Sequence, residues 1–234
     1  MVAIDTEFVS VQHEESVLTN TGGKVVIVDG RSSLARSSVI DCRSGNVIID
    51  DYVMPQEPVV DYLTRFSGIY ANDIDPLIST RHLVTMRTAY LKLRLLVDRG
   101  CVFVGHGLKT DFRILNIFVP PNQIIDTVTI FYQPKSRMIG LRFLANFLLC
   151  HDMQQDTRDS IEDAKAAYAL YNKALELKSD EDKNTFGRKI YEFGRKTDWK
   201  LGVAPTNESV RERARSGSGA GPSPPKFYKP KPML

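Results

Sequence analysis

The stretch Val2-Ala-Ile-Asp-Thr-Glu-Phe-Val-Ser-Val11 reads as a β-strand, apolar and β-branched apart from two acids. Strand side chains alternate between faces, so Asp5 and Glu7 emerge on one side and Thr6 on the other. Two carboxylates side by side in an apolar strand are costly unless something cationic stands between them. A hard divalent ion meets that need. Mg²⁺ suits it because it takes few protein ligands and completes its shell with substrate phosphate. Alone, an Asp-x-Glu pair fits a solvated face or a salt bridge equally well, so the rest of the chain has to decide.

Outward from this strand, residues 12–31 are polar and glycine-containing, a loop or a wide hairpin. Leu34 to Cys42 and Val47 to Val53 form two further strands, joined by a turn at Ser44-Gly45-Asn46. Pro58 suits the first turn of a short helix through Phe66. Leu83, Met86, Tyr90, Leu93 and Val97 make one apolar stripe at helical spacing, ended by Arg99-Gly100. Cys101 to Val104 is a short buried strand leading through Gly105-His-Gly107 into a helix that ends near Asn116. Ile124 and Ile125 open another strand. Helices follow over Arg142 to Leu149, Ser160 to Leu177 and about Glu181 to Arg195, with Ser160 and Asp163 spaced as a capping box. A meander of strands followed by strands alternating with helices indicates an α/β domain around a mixed five-stranded sheet flanked by helices.

The 234 residues carry 42% hydrophobic and 25% charged side chains, an ordinary globular balance. The length divides into one domain over residues 1–200 and a tail over 201–234. Residues 203–234 hold six basic and two acidic residues and six of the 12 prolines, so residues 1–202 carry a net charge of −1 within a total of +3. Such a basic, Pro/Gly/Ser-rich tail is expected to be disordered, because it cannot bury enough apolar area to offset its ordering entropy. The body has no global basic footprint, so any nucleic-acid site there must be local. No run approaches the ~18 apolar residues of a membrane span, so no membrane partner is expected. Met1 leads straight into an apolar strand, which argues against a secretory leader. Cys42, Cys101 and Cys150 are odd in number and widely spaced, neither a disulfide framework nor a zinc knuckle. They read as reduced core residues, in keeping with a cytoplasmic protein ahead of a nuclear one.

Two more acids extend the pair. Asp111, in Gly-His-Gly-Leu-Lys-Thr-Asp-Phe112, follows the 101–104 strand near the start of a helix, and parallel strands deliver such loops to the edge where ligands bind. Asp163 falls in the first turn of the 160–177 helix. Either acid alone would serve as a complement to a helix dipole. Their order gives them weight: a pair on the first strand, one after the fourth, one on a late helix.

In that arrangement the sequence resembles the DnaQ-like, or DEDD, family of 3′–5′ exonucleases on the ribonuclease-H-like fold. More narrowly it is similar to the exonuclease domain of poly(A)-nuclease deadenylase catalytic subunits. The stretches that carry the likeness include Ile4-Asp-Thr-Glu-Phe8, Ile49-Asp-Asp-Tyr52, Ser67-Gly-Ile69, Phe103-Val-Gly-His-Gly-Leu108, Asp159-Ser-Ile-Glu-Asp-Ala164 and Gly194-Arg-Lys-Thr-Asp-Trp199. They span about residues 2–200. The resemblance implies that Asp5, Glu7, Asp111 and Asp163 hold two Mg²⁺ ions, with Mn²⁺ as a substitute. It further implies 3′–5′ shortening of single-stranded poly(A) tails to 5′-AMP in the cytoplasm, processing bodies included. The implied partners are the regulatory subunit of the deadenylase complex and poly(A)-binding protein. Phe8 either packs on a terminal base or ribose, as aromatics do with single strands, or belongs to the core. His106 reads as structural.

One position departs from the family. Its histidine branch carries a general base five residues before the final acid, and here that residue is Arg158. A tyrosine branch uses four residues before, which is Asp159, and His151 stands seven residues before Arg158. Arginine, with a pKa above about 12, cannot take a proton from water near neutrality. Loss of a general base costs about 10²–10⁴ in rate. Arg158 therefore leaves either a slow nuclease, with the guanidinium on phosphate, or an RNA-binding domain in which it pairs with Asp163 or Glu7. A third reading is a truncated scaffold, since the chain starts at the first strand without the β-propeller and pseudo-protease regions of the family, through which the regulatory subunit docks. All four acids favour an enzyme. DNA proofreading is the alternative within that class.

Overall fold

The computed structural model describes residues 1–149, 158–177 and 180–200. His151, Cys150 and the tail fall outside the described residues.

Strand β1 (Val2–Gln12) leads into a hairpin of β2 (Glu15–Leu18) and β3 (Lys24–Val28), then β4 (Arg31–Asp41) and β5 (Val47–Met54). Short helices α1 (Thr64–Ser67) and α2 (Ala71–Ile74) precede β6 (Leu83–Thr85) and the long α3 (Met86–Asp98). There follow β7 (Phe103–Gly105), α4 (Leu108–Ile114), β8 (Ile124–Asp126), α5 (Thr127–Ile130), α6 (Leu141–Leu149), α7 (Ser160–Glu176) and α8 (Asp180–Lys196). The main sheet has the order β6-β5-β4-β1-β7-β8. Only β4 runs against the other five, pairing antiparallel with both β1 and β5. The five parallel strands thus deliver their carboxyl ends to one edge of the sheet.

The sheet has six strands, one more than the five the sequence indicated. The extra strand is β6, which the apolar stripe had assigned to the start of the long helix. Thr85 separates the two elements: its hydroxyl accepts from Thr88 N at 3.2 Å and caps α3. The expected helix from Pro58 to Phe66 shrinks to α1, beginning only at Thr64. Upstream of it Val60 N and Asp61 N both donate to the Ser10 carbonyl, and Asp61 forms an isolated antiparallel bridge with Ser10 in place of a helical turn.

Each face of the sheet buries its own layer. Ile4, Val39 and Phe103 pack with Leu93 of α3 and Phe112 of α4, and the Phe103 and Phe112 rings meet edge-on at 5.6 Å. That geometry is worth about 0.5–1.5 kcal/mol beyond the area buried. On the opposite face Ala3, Ile40 and Val104 lie under Ala164 of α7, and the small size of Ala3 and Ala164 lets the helix approach closely. Leu144, Leu170 and Ile190 join α6, α7 and α8 into a further layer. Trp199 closes it against Phe143 and Tyr191, in space that any side chain at Gly194 would fill.

Candidate metal centre and active site

Asp5 and Glu7 project from β1 on the face covered by α7, as the strand alternation required. One turn into α7, Asp163 comes down to meet them. One carboxylate oxygen from each of the three lies within 4.8 Å of the other two. At that spacing each pair of full charges repels by about 3 kcal/mol or more at an effective dielectric of ~20.

The protonation equilibria register this crowding. Glu7 and Asp163 are buried, at 6% and 5% exposure. Burial pushes Glu7 up to about 8, against the pull of Arg158 and Arg36, and Asp163 up to about 6, against the pull of Arg158 and Arg142. Asp5 keeps an open side. It is raised well above the ordinary carboxylate range by burial and then by Glu7, Asp163 and Asp111.

Asp111 stands outside the trio, in the first turn of α4. Its charge still raises both Asp5 and Glu7, and burial lifts its own pKa to about 7. Thr6, pointing away from the trio, opposes that rise, although its buried hydroxyl completes no hydrogen bond of good geometry. The structure therefore brings three of the four acids into contact distance and sets the fourth close by.

The donor set fits a hard divalent cation. It consists of carboxylate oxygens alone, and Glu7 Oε1 is buried with no hydrogen-bond partner among the described residues. A cluster of carboxylates with a buried oxygen left without a partner is the arrangement that oxygen-loving ions stabilise.

The other candidates fall into place around the trio. Arg158 is exposed, and its charge reaches Asp5, Glu7 and Asp163. Asp159, the tyrosine-branch position, is a helix cap: its Oδ1 accepts from Ile161 N at 3.0 Å. This corrects the expected capping box, because Ser160 lies inside the helix, buried, with its hydroxyl 2.6 Å from Ser38 Oγ. His106 Nδ1 lies 2.9 Å from Thr127 Oγ1, and burial pushes its pKa down to about 4, leaving a neutral and weakly basic ring. Phe8 is half-buried and packs against the core. Sequence reasoning gave no role to Arg36, Ser38, Asp50 or Gly68, all of which support the segment around Arg158. The stretch Ile49-Asp-Asp-Tyr52 was the visible signal, an acid pair in a strand with no stated partner.

An all-oxygen acid cluster at the ligand edge of a ribonuclease-H-like sheet is the kind of site that metal-dependent nucleases use. Residues 2–171 match the RNase_T exonuclease family, and the chain belongs to that family. Among its relatives, the rat PAN2-PAN3 deadenylation complex catalytic subunit Pan2 is 44% identical over 227 residues, which are 94% of this chain and 19% of the rat protein. The chain thus spans about a fifth of that relative's length. The Saccharomyces cerevisiae Pan2 pseudoubiquitin hydrolase-RNA exonuclease module in complex with A7 RNA superposes with a TM-score of 0.75 at 42% identity, covering 86% of this chain and 32% of that one. The Neurospora crassa Pan2 catalytic unit, a protease and nuclease domain, gives 0.68 at 44% identity over 81% of this chain and 29% of that one.

Proposed function

We propose that this chain is a 3′–5′ exoribonuclease that shortens poly(A) tails, using two Mg²⁺ ions held by Asp5, Glu7, Asp111 and Asp163 and releasing 5′-AMP. The observation that carries the reading is the convergence of Asp5, Glu7 and Asp163, one carboxylate oxygen from each within 4.8 Å of the other two. The poly(A) preference draws support from the relatives, deadenylation subunits in name and in one case solved with A7 RNA. The regulatory subunit, poly(A)-binding protein and a cytoplasmic setting belong to the same reading.

Divalent ions bound by these carboxylates supply Lewis acidity and charge neutralisation at the scissile phosphate. The chain's own residues do the rest. Water adds to phosphorus and the bond to the 3′ oxygen breaks; the water proton passes to solvent, because the guanidinium of Arg158 cannot accept it, and the leaving 3′ oxygen takes a proton from solvent to become the new 3′-hydroxyl. Arg158 instead donates hydrogen bonds to phosphate oxygens, a geometry that its planar fork suits. Phe8 offers its exposed edge to the terminal base. His106 stays neutral and holds the β7–α4 loop to Thr127.

A second reading, an impaired enzyme that binds RNA, draws on the reach of Arg158 to all three acids. Digestion of A20 RNA, U20 RNA and A20 DNA with Mg²⁺, with products resolved by chromatography, separates the possibilities. Fastest release of 5′-AMP from A20 RNA is expected. Binding of A20 without any mononucleotide would favour the impaired enzyme, and a preference for DNA would overturn the deadenylase reading.

A further inference from the structure

Behind the acid trio lies a polar network that reaches the helix carrying Asp163. On the sheet face of Asp5 and Glu7, the register sets Ser38 opposite Asp5 and Arg36 opposite Glu7, with Asp50 and Tyr52 next across on β5. Arg36 is 8% exposed, and its guanidinium meets Asp50, Asp159 and Tyr52. Nε and Nη2 donate to the two oxygens of Asp50 at 2.8 and 3.2 Å. Nη1 stands 3.1 Å from Asp159 Oδ1, and the Tyr52 ring covers the guanidinium at 4.9 Å. Ser38 Oγ donates to Asp50 Oδ1 at 2.9 Å, so the Ser160 hydroxyl donates to Ser38 at 2.6 Å. From the other side the Arg158 carbonyl lies against Gly68, whose φ of +67° and lack of room for a Cβ make it the contact that admits this turn.

Residues 158, 159 and 160 are thus each fixed by a different partner, and two of those partners trace back to Arg36. Asp163 follows Asp159 by four residues, about one helical turn on the same face. A displacement of the helix start therefore passes directly to the Asp163 carboxylate. We propose that Arg36 is a positioning residue. By bridging Asp50 of the sheet to Asp159 of the helix cap, it sets the distance at which Asp163 and residue 158 stand from Asp5 and Glu7. The catalytic consequence rests on the nuclease reading; the geometry of the carboxylate trio does not.

The bridge demands a fork. Two N–H groups of the rigid plane bind Asp50 while the third nitrogen, Nη1, makes an ion pair with Asp159, an arrangement that a lysine ammonium cannot reproduce in the same place. Outer partners that orient metal ligands are worth about 10–100-fold in metal affinity or activity. A misplacement of about 1 Å at a reacting centre costs a similar ~10².

The test compares Arg36→Lys, Arg36→Met and Asp159→Asn with the parent in two assays, Mn²⁺ binding by electron paramagnetic resonance and steady-state turnover of A20 RNA. Asparagine retains the helix cap and loses only the charge that faces Arg36. Arg36→Lys and Asp159→Asn are expected to unfold cooperatively like the parent, to bind Mn²⁺ about tenfold more weakly, and to lose about 10–100-fold in kcat with KM little changed. The Arg36→Lys, Asp159→Asn double variant should be no worse than the poorer single one, since both remove the same link. Parental Mn²⁺ affinity and kcat in either single variant, or losses that simply add, would overturn the proposal. Should Arg36→Met fail to fold, the two conservative variants decide on the same criteria. Should the parent turn over no RNA, the nuclease reading fails and the Mn²⁺ comparison still decides the positioning role.

Discussion

Glu7→Gln removes one charge from the crowded trio while keeping the shape of the side chain, and its effect on stability can be worked from the structure. Glu7 has a folded-state pKa of about 8 against an ordinary 4.5. Between those values the folded chain binds a proton that the unfolded chain has released, so the folded state loses stability as pH rises through the window. At about 1.4 kcal/mol per pH unit, the cost from Glu7 alone is under about 1 kcal/mol at pH 5 and on the order of 3 kcal/mol at pH 7. Metal-free parent protein should therefore be on the order of 2 kcal/mol more stable at pH 5 than at pH 7. Asp163, at about 6, and Asp111, at about 7, act in the same direction. Glutamine abolishes the Glu7 share, so the variant should be more stable than the parent at pH 7 and show a shallower pH dependence. Added Mg²⁺ should reverse the ranking at pH 8, because it stabilises only the ionised carboxylate. Urea unfolding in EDTA at pH 5, 6, 7 and 8, followed by fluorescence of the single tryptophan, Trp199, measures all of this. Parental stability that is flat or rising from pH 5 to 8, or an identical slope in the glutamine variant, would refute the reasoning.

Three further outcomes follow from individual contacts. Gly68→Ala places a Cβ against the Arg158 carbonyl in a left-handed backbone, and should lower A20 turnover by about tenfold or more while costing only about 1–2 kcal/mol in urea unfolding. His106→Asn should leave the shape of the pH–rate profile between pH 6 and 8 unchanged, since the ring is already neutral across that range. Leu144→Ala empties a fully buried position in the α6–α8 layer and should cost about 2–5 kcal/mol of stability with parental kcat in the folded fraction.

Local signals made β1 and its acids readable. Alternation along a strand placed Asp5 and Glu7 together, and a helix start after an acidic turn placed Asp163. What the sequence concealed is non-local. Ser38 and Ser160 are 122 positions apart, and nothing near either residue marks them as a pair. Arg36 looks like one solvated charge in a strand until the register sets it beside Asp50 and under α7. The sixth strand escaped notice because Leu83 and Val84 fit a helical stripe as well as a short strand, and only the Thr85 cap divides the two. Asp159 and Ser160 show the finer limit, since either residue could cap α7 and tertiary contacts chose between them: Ser160 is drawn to Ser38, and Asp159 keeps the cap while pairing with Arg36.

The central claim is that the site built on Asp5, Glu7, Asp111 and Asp163 supports hydrolysis at a rate held down by Arg158. Single-turnover digestion of 5′-labelled A20 RNA with excess Mg²⁺, run on the parent, Asp5→Ala and Arg158→His, tests it most directly. The expected result is a slow ladder shortening from the 3′ end in the parent, no ladder in Asp5→Ala, and at least tenfold faster shortening in Arg158→His. A ladder that persists in Asp5→Ala, or an unchanged rate in Arg158→His, would contradict it.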